Sequence, residues 1–567
     1  MSKPSYLAPE SDMFNTGPSY WQANGWWMAP LAVFASTVAM TVFSFPPFNA
    51  GEFAYVFAVP AIFWAFNRPR LNVFLPVMLG AQAAAWTILL AWLHNVSWLG
   101  LFLLGPFVGV WIGLWHLAVW WAAPRALGRP APVRVAILLG LAGLWVLIEW
   151  TRLWFLSGFP WLPLAASQWT RPFLLQGAAV TGAGGVSFIL ISFNLGAAAG
   201  LHRLFFEREL KGLRRRSPEF MAALLVLGTS FLWVGDYMDI GGGPAKDGAG
   251  NVKTWNLAVV EPNIPQSVKW DPTKAEGILD TLTRLTERAS LTFPDLILWP
   301  ESAMPFALKG DGPDARQWIE GLARRVNTPL LIGGDSIETL PDGTRAWYNA
   351  AFMIDPEAGL REHYYKKRHL VPFGEYVPFR PLLGWLTKIT DVGEGDFHPG
   401  GISGPLICGT RRTDVFAAGP LICYEDIFPN LTRDNTELGA DLHVVLTNNG
   451  WFGQGGAAWQ HAAHSILRAV ETRRPVVRCS NGGWNGWIDE FGRTHDVMTG
   501  PDGSIYTRGT RTFEVKRSAT WQERETFYVR HGDWFVWVCA GLLVLGLAAV
   551  RLAHLEPLRV RSKPEDY

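Results

Sequence analysis

A chain of 567 residues is too long for one small domain, and 49% hydrophobic residues with 30 tryptophans point to membrane insertion rather than to a large soluble core. The formal net charge of +1 gives no basic surface for a nucleic-acid backbone, which excludes that class of partner. Four cysteines without a Cys-x-x-Cys spacing argue against a structural zinc, and three of them in one polar domain leave at least one free thiol there.

In chain order, a polar stretch over 1–27 precedes apolar segments at 28–45, 51–66, 72–93, 97–122, 135–155, 174–201 and 219–235; an eighth lies at 534–550. A bilayer core of ~30 Å takes roughly 20 apolar residues in a helix, so these predict eight spans, the second and seventh of them short. The first runs into Phe43-Ser44-Phe45-Pro46-Pro47-Phe48 rather than a small-residue cleavage site, which marks an anchor and not a removable signal.

Lys and Arg distribute unevenly between the loops. Arg68 and Arg70 follow the second segment; Arg125, Arg129 and Arg134 follow the fourth; Arg203, Arg208, Lys211, Arg214, Arg215 and Arg216 follow the sixth; and the C-terminal tail adds Arg551, Arg559, Arg561 and Lys563. Positive loops stay in the cytoplasm, so both termini are expected there and the large polar segment on the other side. The expected organisation is a cytoplasmic segment 1–27, a seven-span bundle 28–235, an extracytoplasmic domain 236–533, a final helix 534–550 and a cytoplasmic tail 551–567. Glu149 and Arg152 share one helical face of the fifth segment and are expected to pair near its outer end, either as a structural ion pair or as a headgroup contact.

From Trp255 onward the texture changes to short β-branched runs alternating with helical stretches. Leu257–Val260, Leu296–Trp299, Leu330–Ile332, Ala351–Ile354, Pro420–Cys423, His443–Leu446 and Val476–Cys479 read as strands, and 272–290, 313–326 and 457–473 as helices. In 272–290 the residues Ile278, Leu279, Leu282 and Leu285 recur at helical spacing, and Pro272 suits the first turn. This is α/β organisation around buried sheets.

Chemistry-bearing residues fall at strand ends, where loops aim side chains into a crevice. Glu301 follows one strand in Trp299-Pro300-Glu301-Ser302, and Cys423 closes another in Leu421-Ile422-Cys423-Tyr424-Glu425-Asp426. Between them lies Lys367-Arg368-His369-Leu370-Val371-Pro372-Phe373-Gly374-Glu375-Tyr376. A thiol, a carboxylate and an ammonium are the set needed for acyl transfer through a thioester: Glu301 to take the proton, Cys423 to attack, Lys367 to donate to the oxyanion and favour the thiolate. Glu375 and Glu425 would position the lysine or relay a proton. Taken singly, a buried cysteine is a packing residue, a glutamate after a strand is a loop acceptor, and Lys367 is a solvated neighbour of Lys366 and Arg368.

Taken together, the three motifs resemble the Glu-Lys-Cys signature of the nitrilase superfamily, and with the flanking spans the chain resembles the apolipoprotein N-acyltransferase family. Asn263-Ile264-Pro265-Gln266-Ser267-Val268-Lys269-Trp270, Thr447 to Gly453, Trp459-Gln460-His461, Gly158-Phe159-Pro160-Trp161 and Gly185-Val186-Ser187-Phe188 extend the likeness. The resemblance implies an α-helical transmembrane bundle plus an α/β nitrilase-like αββα sandwich, with Glu301, Lys367 and Cys423 catalytic and Trp270, Glu375, Tyr424 and Glu425 supporting. It further implies a phospholipid acyl donor such as phosphatidylethanolamine, a diacylglyceryl apolipoprotein as acceptor, no cofactor or metal, a monomer, and the bacterial inner membrane with the catalytic domain in the periplasm. Asn449 stands where the family usually has Asp, and Ser480-Asn481-Gly482-Gly483-Trp484 departs from its usual turn, which bears on acceptor or headgroup preference.

Two rivals remain at this stage: a membrane-tethered carbon-nitrogen hydrolase (amidase) using the same trio with water as acceptor, and a transporter or scaffold in which the trio is dispensable. The apolar stretch 381–389 reads either as a core helix or as a lid that dips into the interface.

Overall fold

The computed structural model describes residues 28–207, 216–233, 252–269, 271–310, 313–384, 396–410 and 415–555. The apolar segments form α1 (Met28–Ser44), α2 (Val59–Phe66), α3 (Leu71–Leu89), α4 (Trp98–Gly113), α5 (Trp115–Ala122), α6 (Ala131–Thr151), α7 (Ala183–Phe206) and α8 (Pro218–Thr229). Polar caps set several ends: Ser97 accepts from the Gly100 amide at the start of α4, and Ser217 from the Phe220 amide at the start of α8, where Pro218 takes the first turn. Five helices among the described residues are long and apolar enough to cross a membrane: Leu71–Leu89, Trp98–Ala126, Ala131–Thr151, Ala183–Phe206 and Trp534–Leu552. Met28–Ser44, Gly51–Phe66 and Pro218–Leu232 are shorter apolar segments. The segment 51–66 is a short 3-10 turn, Gly51–Tyr55, followed by α2, so it is not one continuous helix.

The basic ends of the bundle gather on one side. Arg134, buried near the start of α6, pairs through Nε with Glu219 at the start of α8 and lies 3.9 Å from Glu207 just past α7. The opposite end of α6 leads into the loop 155–162, which meets the polar domain. Glu149 and Arg152 do not hold each other as the sequence led us to expect. Glu149 accepts from the Trp145 indole at 2.9 Å and the Leu164 amide at 2.7 Å, whereas Arg152 donates to the Phe159 and Trp161 carbonyls and lies over Trp86. Both charges brace the loop rather than a pair.

The polar domain has two sheets. The first contains β1 (Lys253–Glu261), β2 (Leu296–Trp299), β3 (Leu330–Thr339), β4 (Arg345–Asp355), β5 (Gly359–Leu360) and β6 (Tyr365–Lys366). The second is β7 (Leu406–Gly409), β8 (Val415–Ile422), β9 (Leu442–Asn448), β10 (Val476–Asn481), β11 (Gly486–Ile488) and β12 (Thr494–Val497); β13 (Gly509–Arg517) returns to the first. Strand order is β13-β1-β2-β3-β4-β5 with β6 on β4, and β12-β11-β10-β9-β8-β7. Parallel β1–β2–β3 and β8–β9–β10 form the middles, with antiparallel strands outside them.

Alternation along the strands sends Leu257, Val259, Leu296 and Leu298 inward against Ile422, Val444, Leu446 and Val477, which makes one apolar layer between the sheets. The outer face of the first sheet, Ala258, Val260, Ile297 and Trp299, is covered by α9 (Ala275–Ser290) and α10 (Pro313–Val326) through Ile278, Leu282, Ile319 and Leu322. The outer face of the second sheet is covered by α11 (Pro429–Glu437) and α12 (Ala457–Thr472). Four layers, αββα, result.

Helix α12 is buried nearly all round because the sheet packs on one side and the membrane block on the other. Gln460 on α12 shows how tightly they meet: its Nε2 donates to the Pro46 and Leu89 carbonyls at 3.1 and 2.9 Å, and its Oε1 accepts from Trp92 and Trp161 at 3.0 and 2.8 Å. The chain leaves the domain through Thr526, which caps a short helix, and ends in α13 (Trp534–Leu555), which packs on α6 with Gly140 against Gly546.

Candidate active site

Glu301 sits two residues past β2, Lys367 directly after β6, and Cys423 directly after β8. Strand β8 stops at Ile422, one residue before the sequence expectation, because Cys423 turns to φ +51° and opens a 3-10 turn over Cys423–Ile427. That left-handed conformation is strained for a residue with a Cβ and lifts the side chain out of the strand's alternation. The two sheets bring the three side chains into one buried cluster.

Glu301 is held at both oxygens. Its Oε1 accepts from Asn349 Nδ2 at 2.8 Å and Lys367 Nζ at 3.3 Å, and its Oε2 from the Asn448 amide at 3.0 Å. Lys269 Nζ donates to the Glu301 carbonyl at 3.2 Å. Lys367 Nζ also donates to Glu375 Oε1 at 2.8 Å, and Glu375 accepts from Asn349 and from the Val371 amide. The Lys367 backbone is pinned on both sides, its N–H to the Asn349 carbonyl and its carbonyl to the Gly400 amide.

The electrostatics follow from this packing. Burial pushes Glu301 upward, but Lys367, Asn349 and Lys269 outweigh it and leave the carboxyl below its ordinary range. Lys367, with only 1% of its surface exposed, is opposed by burial yet raised above the usual lysine range by Glu375 and Glu301. Cys423 is 8% exposed; burial, then the Glu301 carboxylate, push its thiol up to about 12 despite Lys367. The lysine charge is therefore shared between two carboxylates, and its expected bias toward the thiolate is outweighed: Cys423 is a neutral thiol beside the ionised Glu301 carboxylate. Burial lowers Lys269 to about 8 and raises the neighbouring Asp335 to about 6.

The remaining supporting residues divide. Glu425 accepts from the Ile422, Arg368 and His369 amides and from the Tyr365 hydroxyl, so it positions the lysine segment through its backbone. Tyr424 donates to the Gly158 carbonyl at 2.8 Å and stacks near Phe159, joining the Cys423 turn to the membrane block. Trp270 lies outside the described residues, as do Trp385 and Leu386 of the stretch 381–389. What is described of that stretch leaves Leu382 74% exposed, unlike a core helix. Asn449 is buried, with its Oδ1 3.4 Å from Thr447 Oγ1 and 3.3 Å from His461 Nδ1. All four cysteines are free and buried. Among the described residues no cluster of three His, Cys, Asp or Glu side chains is placed to hold a metal.

Sequence reasoning missed Asn349, Asn448, Lys269 and the Asp426–His461 pair as site residues. Asn349 had one available signal, a lone amide in the apolar strand run Tyr348-Asn349-Ala350-Ala351-Phe352. Gly333 on β3 was also silent, yet a Cβ there would come within 2.5 Å of the Pro300 carbonyl and 2.6 Å of Glu301 Cα. Gly333→Ala is expected to displace Glu301 and slow acyl transfer ~100-fold. Gly334→Ala, whose Cβ would meet Phe352 at an ordinary 3.7 Å, is the milder comparison; equal turnover in both variants would contradict the account.

Residues 256–515 match the carbon-nitrogen hydrolase family, and 37–196 match the apolipoprotein N-acyltransferase N-terminal domain. The chain is 34% identical over 440 residues to the apolipoprotein N-acyltransferase of Geobacter metallireducens, covering 77% of this chain and 79% of that one. It belongs to the apolipoprotein N-acyltransferase family. Two further relatives of that name, from Chlorobaculum tepidum and Allorhizobium ampelinum, are 31% and 33% identical and cover 73% and 83% of this chain, 77% and 87% of theirs. An apolipoprotein N-acyltransferase of this architecture is an acyltransferase whose nitrilase-type sandwich is joined to membrane helices.

Proposed function

We propose that the chain transfers an acyl group from a phospholipid, phosphatidylethanolamine in the first instance, to the α-amino group of an S-diacylglyceryl-cysteine at an apolipoprotein N-terminus, through a thioester on Cys423. The observation that carries this reading is the convergence of Glu301, Lys367 and Cys423 in a buried cluster whose next residue, Tyr424, bonds the membrane block at Gly158. In the first half, Cys423 Sγ attacks the donor's ester carbonyl while its proton passes to Glu301. Lys367 donates to the oxyanion, the C–O bond breaks, and the lysophospholipid alkoxide takes the proton back from Glu301. In the second half, the neutral amine attacks the thioester, its proton passes to Glu301, the C–S bond breaks, and the thiolate is reprotonated as the amide forms. Glu375 holds the lysine, Glu425 its backbone, and Tyr424 the seam with the membrane. All these groups come from one chain, so a monomer suffices.

The proposed organisation keeps 1–27 and 551–567 in the cytoplasm, 28–235 and 534–550 in the bacterial inner membrane, and 236–533 in the periplasm. Arg134 and Arg203, which meet at Glu207 at the end of the bundle away from the sandwich, support that orientation. Because the four native cysteines are buried, introduced ones can be read cleanly. Asp342→Cys should react with an impermeant maleimide in intact cells, and Pro130→Cys only after permeabilisation; the reverse pattern would overturn the orientation.

Function is tested by intact-protein mass after incubation with phosphatidylethanolamine alone. One added acyl group, lost in Cys423→Ala, with lysophospholipid released, is the expected result. Steady release of free fatty acid with no persistent adduct would support the hydrolase instead.

A further inference from the structure

The strained turn at Cys423 requires neighbours that over-determine it. One of them comes from outside the strand and its loop. His461 Nε2 on α12 lies 3.1 Å from the Cys423 carbonyl oxygen and 2.6 Å from Asp426 Oδ1. Both partners are acceptors, so this nitrogen carries the proton and shares it between the nucleophile's own carbonyl and a carboxylate three residues on. Asp426 is fixed in turn by Ser465 Oγ at 2.6 Å and by Arg478. The cluster is buried, and its described hydrogen bonds run to the Cys423 turn, to Asn449 and to one another rather than to Glu301 or Lys367, which fits a role in holding geometry.

Gln460 is the residue before it. All four hydrogen-bonding valences of that amide are filled by the membrane block: the Pro46 and Leu89 carbonyls and the Trp92 and Trp161 indoles. The Trp161 ring also lies 5.7 Å, centroid to centroid, from His461. Adjacent positions on one helix thus face two different clients. One reads the seating of the bundle, and the other grips the nucleophile.

We propose that His461 is a positioning residue that holds the Cys423 turn in its attacking conformation, and that Gln460 with Trp161 makes this hold depend on the seated membrane block. The proposal rests on Cys423 being the nucleophile. Its chemical consequence is that the thiol reaches full reactivity only when the bundle is docked, which keeps a water-exposed sandwich from hydrolysing soluble esters. Polar satisfaction drives the coupling: removing the Gln460 amide would strand two buried indole N–H groups and two carbonyls, and the bundle segment would shift to find partners.

The test uses the full chain in detergent and a short soluble ester, p-nitrophenyl butyrate, so that lipid capture plays no part. Acylation is read as the nitrophenolate burst and confirmed by intact mass. His461→Leu should slow acylation at saturating ester ~100-fold with KM little changed, as a misplaced nucleophile does. His461→Gln, which keeps an N–H donor near the same place, should recover most of that loss, a rescue that a merely space-filling role would not give. Gln460→Leu should lower the burst rate ~10-fold with the same kcat-only pattern. Equal rates in the Leu and Gln variants of His461, or wild-type acylation by Gln460→Leu, would overturn the proposal. Should His461→Leu not fold, Gln460→Leu decides alone. A burst that persists in Cys423→Ala would instead sink the nucleophile assignment and leave the coupling without an object.

Discussion

Cys423→Ala is expected to lower acyl transfer by ~10⁴-fold or more while the protein still inserts and folds. The Cys423 thiol lies beside Glu301 and Lys367, and Cys408 and Cys479 are buried in the apolar layer between the sheets without those neighbours, so neither is expected to replace it. The variant removes one sulfur, and alanine at φ +51° is as strained as cysteine. Cys423→Gly separates strain from chemistry. It should be equally inactive, yet melt above Cys423→Ala by an amount corresponding to about 1 kcal/mol, because glycine adopts this conformation freely. A lower melting temperature for the glycine variant would show that the turn stores no strain, and near-normal transfer by either would remove the thioester route.

The strands that carry the site were legible because each is a short β-branched run closed by a polar or turn residue, as at Leu296–Trp299 followed by Pro300 and Glu301. The helix read over 272–290 was legible from the spacing of Ile278 and Leu282, both buried as that spacing requires, although its first three residues, Pro272–Lys274, form a 3-10 turn and the α-helix starts at Ala275. What escaped depends on partners far away in the chain. Strand β13 joins the first sheet by running antiparallel along all of β1, from Lys253 against Arg517 to Glu261 against Gly509, and nothing local in Gly509–Arg517 names that partner. Glu149 and Arg152 look like mates by helical spacing, but the Trp161 and Leu164 backbone of the following loop competes for both, and satisfying buried peptide groups wins over a direct ion pair. Likewise α12 was readable as a helix, but not as the seam between sandwich and bundle. Its polar residues Gln460, His461, His464, Arg468 and Glu471 read as a solvated face, yet all are buried, and only the facing Pro46, Leu89, Trp92 and Trp161 give Gln460 its meaning.

Separating the two half-reactions should expose different pH behaviour. Glu301 is held below the ordinary carboxylate range because Lys367, Asn349 and Lys269 outweigh its burial, so it stays ionised from pH 6 to 8, and the neutral Cys423 thiol, at about 12, does not titrate there either. Acylation by phospholipid is therefore expected to change far less than tenfold per pH unit across that window, with only shallow inflections where Asp335, at about 6, and Lys269, at about 8, titrate beside Glu301. A rate rising tenfold for each pH unit would indicate attack by a free thiolate rather than base-assisted attack. Discharge by a diacylated lipopeptide requires an uncharged α-amine and should accelerate as pH approaches about 7.7–8.0, then level off. Initial rates with both substrates varied should give the parallel lines of a ping-pong scheme. Glu301→Gln should cut acylation ~10³-fold, since the amide cannot accept the thiol proton, and Lys367→Ala should cut both halves ~10²-fold or more, since each passes through an oxyanion. The Lys367 variant carries a second signature. Without the ammonium, Glu301 and Glu375 face each other's charge across Asn349, so the Glu301 carboxyl rises and an acid limb should move upward toward neutral pH. Normal acylation in Glu301→Gln, or an acid limb that stays put in Lys367→Ala, would break the division of labour assigned to these two residues.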